Sequence, residues 1–283
     1  MSRVELPSGG PTRGLVPQGG LPPFLVLLWV GAAYGLFQLL VTLLSLRGRV
    51  LDLVTLGSVQ AVAYLIVIFG LLHRYEPGTP LRRALGLRPT HPGLVFAGVG
   101  LGASLKLPLE SLTNLVERHF PVSDAQLVAR AELYRVDGVL DLVALSIVTC
   151  LVAPMVEELL FRGAAFGRVV KASVRAAALV TGLSFVLVHA EPRHWPALLL
   201  VSAALSFLRV VSGSLLPPLA LHVTFNAAGV LALALGAASA TRPLEVPLVV
   251  TAMNWLTACV ILAFAMRTAE RPEAVRARAE DRS

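Results

Sequence analysis

The sequence predicts an all-α protein, a polytopic transmembrane helical bundle of about eight spans, and three observations carry that prediction. Of 283 residues, 56% are hydrophobic and 14% are charged, against roughly 25% charged in soluble domains. Mean hydropathy is +0.76. Apolar runs of about 20 residues, long enough to cross a hydrocarbon layer of about 30 Å, recur from Phe24 to Met266 without a polar block large enough to fold by itself. The organisation expected is one membrane domain, residues 24–267, between a tail at 1–23 and a charged tail at 268–283.

Residues 1–23 are rich in Pro and Gly, which predicts a disordered tail. Phe24 to Leu46 is longer than the roughly 7 to 15 apolar residues of a signal-peptide core and carries no small-residue cleavage site, so it reads as a retained span. Further spans are expected at Leu53 to Leu72, Gly93 to Leu112, Val139 to Arg168, Val174 to Ala190, Trp195 to Val210, Ser214 to Gly236 and Val246 to Met266. Between the third and fourth, Leu127, Ala131 and Tyr134 fall at helical spacing and suggest a short surface helix from Ser123 to Tyr134. Trp29, Trp195 and Trp255 fit interfacial anchors. Cys150 and Cys259 sit in apolar runs with no CxxC pair, which argues against a disulfide framework or a thiolate metal site.

With eight spans both termini share a side, and that side collects 15 Lys and Arg residues against 7 on the other. Short-loop charge bias places the richer side in the cytoplasm. The net charge of +7 is then a topology signal with a contribution to anionic-lipid contact. No basic stripe with interleaved aromatics is present, so no nucleic-acid partner is expected; the partner surface is the lipid bilayer. The use of 22 Arg against 2 Lys points to a GC-rich bacterial genome, hence to the bacterial inner membrane.

Polar groups inside spans are costly and are functional candidates by default. The fourth span carries Glu157, Glu158 and Arg162 after Pro154. Glu158 and Arg162 are i and i+4 with the acid first, the favourable order for a helical ion pair, whereas at about 100° per residue Glu157 points away from that pair. Glu158 and Arg162 are therefore expected to support the structure, leaving Glu157 free to exchange a proton. The fifth span places Phe185 one turn before His189, and the seventh places His222 one turn before Asn226. Counted at roughly 1.5 Å per residue, Glu157 lies about 16 Å from Arg168, His189 about 21 Å from Arg175, and His222 and Asn226 about 14 and 20 Å from Gly213. All four fall near mid-layer, so one buried polar site is possible. Lys106 is expected to pair with Glu110, and His73, His91, His119 and His194 fall at loops or span ends.

EExxxR at Glu157 to Arg162, FxxxH at Phe185 to His189 and HxxxN at His222 to Asn226, in that order on successive spans, resemble the three motifs of the CPBP family, the type II CAAX prenyl endopeptidase or ABI family. The resemblance covers about residues 150 to 230 and implies an intramembrane glutamic endopeptidase without a cofactor. In it Glu157 would activate water with help from His189, and His222 and Asn226 would form an oxyanion hole, where one donor contributes roughly 2.7 to 4 kcal/mol. The implied substrate is a membrane-associated protein or peptide precursor, since prenylated tails are not expected in bacteria. Two readings stand beside this one. A zinc-dependent metalloprotease could use Glu157, His189 and His222 as ligands, but it lacks HExxH and gives Asn226 no part. A non-catalytic scaffold or immunity protein of the same fold would keep the motifs without turnover. A proton-relay transporter is a more distant alternative.

Overall fold

The computed structural model describes residues 20–49, 51–169, 173–236 and 244–269. Most of the two expected tails, residues 1–19 and 270–283, lies outside the described residues. Every regular element among the described residues is helical: α1 (Pro23–Leu46), α2 (Leu53–Tyr75), α3 (Leu81–Ala84), α4 (Pro92–His119), α5 (Asp124–Leu133), α6 (Val139–Val169), α7 (Val174–Leu187), α8 (Trp195–Ser212), α9 (Leu216–Ala234) and α10 (Leu248–Ala269). Seven of these are long and apolar enough to cross a membrane, and α7 is a shorter apolar helix. Large apolar side chains such as Leu28 on α1 and Leu248, Met253 and Leu256 on α10 face outward, as they must when the surrounding solvent is hydrocarbon. The chain is an integral membrane protein with a helical-bundle fold.

Helix starts follow local chemistry. Pro23 and Pro92 occupy first-turn positions, where the missing N–H removes a donor that would have no partner. Asp52 caps α2 by accepting from the Thr55 N–H at 2.7 Å. Ser123 and Gln126 form a reciprocal capping box at the head of α5, the surface helix that the spacing of Leu127 and Ala131 suggests. At the other end of α8, Gly213 adopts φ +67° and its N–H closes on the Arg209 carbonyl at 3.1 Å, a left-handed stop that glycine takes at little cost.

The helix α7 is shorter than the run from Val174 to Ala190 suggests. It ends at Leu187, and His189 sits in the turn that follows, next to Ala190 at φ +51°. Pro192 then begins a 3-10 turn through His194. At about 1.5 Å per residue, the 14 residues of α7 reach only about 21 Å. Arg193 fastens this turn to the end of α4: its Nε donates to the Phe120 carbonyl at 2.8 Å and its Nη2 to the Pro121 carbonyl at 3.2 Å.

Two glycines bring α4 against α9. A Cβ at Gly98 would stand 2.3 Å from the Pro217 carbonyl oxygen, and one at Gly102 would stand 2.4 Å from the Leu221 carbonyl oxygen. Small residues four apart let helix backbones approach where no hydrophobic effect drives association. This contact fixes the height and rotation of His222, which follows Leu221. Gly102→Leu is expected to push α9 outward, lowering thermal stability in detergent by about 1–3 kcal/mol and activity with it; a thermal melt equal to wild type would show that the approach is dispensable.

α6 is not a regular helix. Ala153–Glu158 is α-helical between π-helical turns at Val148–Val152 and Leu159–Ala165. Such turns collect at functional sites and change which carbonyls find partners within the helix. A carbonyl in each is taken by a side chain from a neighbouring helix. Asn226 Nδ2 donates to the Thr149 carbonyl at 2.8 Å, and Arg209 Nε donates to the Arg162 carbonyl at 2.8 Å. The widened turns absorb Pro154, which lacks a backbone donor, and aim the adjacent acids.

The arginine-rich end of the bundle is braced. Arg168 is buried, pairs with Glu76 and donates to the Ala84 carbonyl at 3.4 Å. Leu215 N–H donates to the Gly86 carbonyl at 2.8 Å, and the Ser214 hydroxyl to the Arg88 carbonyl at 2.6 Å. The segment through α3 thus packs across the ends of α6 and α8. Two of the charges that signal orientation, Arg168 and Arg209, are also internal struts.

Candidate active site

Four helices converge on the polar residues of α6. Glu158 and Arg162 are fully buried and pair at 3.1 Å. Arg162 is completed by Ser202 of α8, whose hydroxyl accepts from Nη2 at 2.9 Å, and its guanidinium lies 4.5 Å from the centroid of the Phe185 ring. The carboxylate, the hydroxyl and the ring surround the guanidinium, the kind of geometry that offsets the cost of taking two charges out of solvent.

Glu157 is 6% exposed and has a different neighbourhood. Its Oε1 accepts from the side-chain amide of Gln60 on α2 at 3.0 Å, and its Oε2 lies 3.6 Å from His222 Nε2. Arg162 makes no ion pair with it among the described residues.

His222 connects the two acids. Its Nδ1 is 3.0 Å from Glu158 Oε1. An ionised carboxylate oxygen only accepts, so Nδ1 donates to it, and the Nε2 edge turns toward Glu157. Asn226, one turn along the same helix, spends one amide hydrogen on the Thr149 carbonyl. The amide has two donors, and the second has no acceptor among the described residues.

His189 does not touch Glu157. Its Nδ1 is held by the Phe185 carbonyl at 2.6 Å, and its ring lies 4.7 Å from the Phe185 ring. Phe185 in turn meets the His222 ring edge-on at 5.7 Å. The structure therefore brings Glu157, Glu158, Arg162, His222 and Phe185 into one cluster, sets Asn226 one turn beyond His222, and places His189 at its exposed edge behind Phe185. Among the described residues, no three His, Cys, Asp or Glu side chains form a group able to hold a metal ion, so Glu157, His189 and His222 do not make a preformed ligand set. Lys106 pairs with Glu110 at 2.7 Å, away from the cluster, with its ammonium 5.4 Å from the Phe225 ring centroid.

Gln60 and Ser202 have no place in the three motifs. Gln60 had a legible signal, an amide in the middle of an apolar run, which in hydrocarbon needs a partner. Ser202 had none, because a serine in a span can satisfy itself on its own helix.

The sequence that forms this arrangement is similar to a known family. Residues 139–228 match the family model of Rce1-like, type II CAAX prenyl endopeptidases. The match is to that segment alone. It runs from the first residue of α6 to just beyond Asn226 and so takes in all three motif pairs. The Rce1-like family is a protease family, so the match supports a peptidase at that coarse level. No curated protein and no solved structure matches the chain.

Proposed function

We propose that this protein is an intramembrane endopeptidase in which Glu157 activates water for attack on a peptide bond. The observation that carries the reading is the different treatment of two adjacent carboxylates. Glu158 is neutralised by Arg162 and occupied by His222, whereas Glu157 pairs with no Lys or Arg among the described residues and keeps an oxygen 3.6 Å from His222 Nε2. A general base must reach the proton it removes, either directly or through one water, and Glu157 Oε2 is the carboxylate oxygen that Gln60 leaves unengaged.

The remaining groups take roles that their geometry permits. His222, when doubly protonated, donates from Nε2 toward an oxyanion formed next to Glu157. The free amide hydrogen of Asn226 supplies a second donor from the same helix face. His189, with Nδ1 engaged by Phe185, presents Nε2 for passing a proton to the leaving amine. The peptide bond breaks at C–N: water oxygen bonds to carbon, its proton passes to Glu157, and the amine leaves protonated. Glu158, Arg162 and Phe185 hold these groups in place.

The protease domain spans residues 24–267, and its substrate is a membrane-associated protein or peptide precursor. Purified protein in mixed micelles should release new amino termini from such peptides and keep its activity after extended chelation. Loss of activity with rescue by added zinc would replace this reading with the metal-dependent one. The 15 to 7 charge split supports an inner-membrane protein with both termini cytoplasmic. Reporter fusions near the two ends should both report cytoplasm, and a periplasmic signal from either would remove that topology.

A further inference from the structure

Gln60 lies on α2, far in sequence from the matched segment, yet it is the side chain that hydrogen-bonds Glu157. Its amide Nε2 donates to Oε1 at 3.0 Å. We propose that Gln60 is a positioning residue for Glu157, holding one carboxylate oxygen so that the other faces His222 and the reacting water. The proposal rests on the reading of Glu157 as the base.

The face of α2 is shaped for that contact. Gly57, one turn earlier, admits Val148 of α6: a Cβ there would lie 2.4 Å from Val148 Cγ1. Tyr64, one turn later, is 1% exposed and packs edge-on against Phe161 at 6.2 Å. Gly57, Gln60 and Tyr64 are spaced i, i+3, i+7, which puts them on one stripe, so small, polar and aromatic contacts with α6 follow one another along it. A close approach below and an aromatic brace above leave the amide little freedom to turn away.

The chemistry of an amide suits the task. Nε2 donates but does not take the proton that a base must collect, so Gln60 orients the carboxylate without competing for its function. With Oε1 occupied and Oε2 standing 3.6 Å from His222 Nε2, the two carboxylate oxygens are no longer equivalent. A carboxylate free to rotate would present either oxygen and spend part of its time turned from the substrate. Orientation of this kind appears in kcat, because it concerns the reacting geometry and not the binding of the remote parts of the substrate.

Two variants test the idea in purified protein in lipid nanodiscs. Gln60→Met keeps length and removes the donor; Gln60→Glu keeps shape and replaces the donor with an acceptor. The carboxylate infrared bands of Glu157, isolated as the wild-type minus Glu157→Gln difference, should move in Gln60→Met. Cleavage of a membrane peptide that accumulates uncut in Glu157→Gln membranes should fall about ten- to a hundredfold in kcat, the scale of one hydrogen bond to a charged group, with KM and thermal stability near wild type. Unmoved bands, or wild-type kcat with Glu157→Gln inactive, would overturn the role of Gln60 and leave the glutamic reading standing. Wild-type cleavage by Glu157→Gln would remove that reading and this proposal together. If both Gln60 variants unfold, Gln60 is a structural brace and the proposal is wrong.

Discussion

Glu158→Gln and Arg162→Gln should each cost the folded protein about 3–5 kcal/mol, the scale for breaking a buried ion pair by removing one partner. Both side chains have no exposed surface. Glutamine at 158 would leave the Arg162 guanidinium without its carboxylate, beside Ser202 and the Phe185 ring, and glutamine at 162 would leave the buried Glu158 carboxylate with His222 Nδ1 but no arginine. The double variant should recover part of the loss, since it leaves neither charge unpaired. Apparent Tm in detergent, followed by loss of the folded species, measures all three. Glu158→Gln should also be impaired in the fraction that stays folded, because Glu158 holds His222 Nδ1 at 3.0 Å. A double variant no more stable than the weaker single one would show that the pair is not the source of the cost.

Glu157→Gln should fold as wild type and lose turnover by the roughly 10² to 10⁴ that a general base contributes. Glutamine keeps the volume, and its side-chain carbonyl can still accept from Gln60, so the fit between α2 and α6 survives while the proton acceptor is gone. His222→Ala and Asn226→Ala should lose activity on the scale of an oxyanion donor, roughly 10² to 10³. Their stabilities should differ from that of Glu157→Gln. Asn226→Ala abandons the Thr149 carbonyl in the first π-helical turn, at a cost of about 1–3 kcal/mol for a buried acceptor without a partner. Glu157→Gln abandons nothing, and so separates chemistry from structure more cleanly.

What could be read in the sequence was whatever repeats on one helix. Hydropathy located the spans because hydrocarbon admits little else, and the i, i+4 spacing of Glu158 and Arg162 specified a pair that needs no second element. The different partners of Glu157 and Glu158 followed from the helical turn between neighbouring residues. Relations between helices were not written in any one segment. The Gly98 and Gly102 spacing was visible as a close-packing pattern, but nothing in it named α9 as the helix that would approach. The two π-helical turns in α6 have no sequence rule of their own; they show only in the side chains of Asn226 and Arg209 that take their carbonyls. The shortened α7 stops ahead of Pro192, which cannot continue a helix, and His189, expected in the last turn of the span, falls in the turn beyond it. Arg168 and Arg209 counted as loop charges, and packing against α3 and α6 turned them into buried braces.

The central claim is that Glu157 performs peptide hydrolysis within the membrane, and labelling of new protein amino termini in membranes tests it most directly. Matched cells would carry wild type or Glu157→Gln at equal abundance, with equal folded fraction verified by detergent melting. The account predicts a set of membrane-protein cleavage products present with wild type and missing with Glu157→Gln, with the uncut precursors accumulating in their place. Identical termini in both membranes, from equally folded protein, would contradict it and leave a non-catalytic member of the fold.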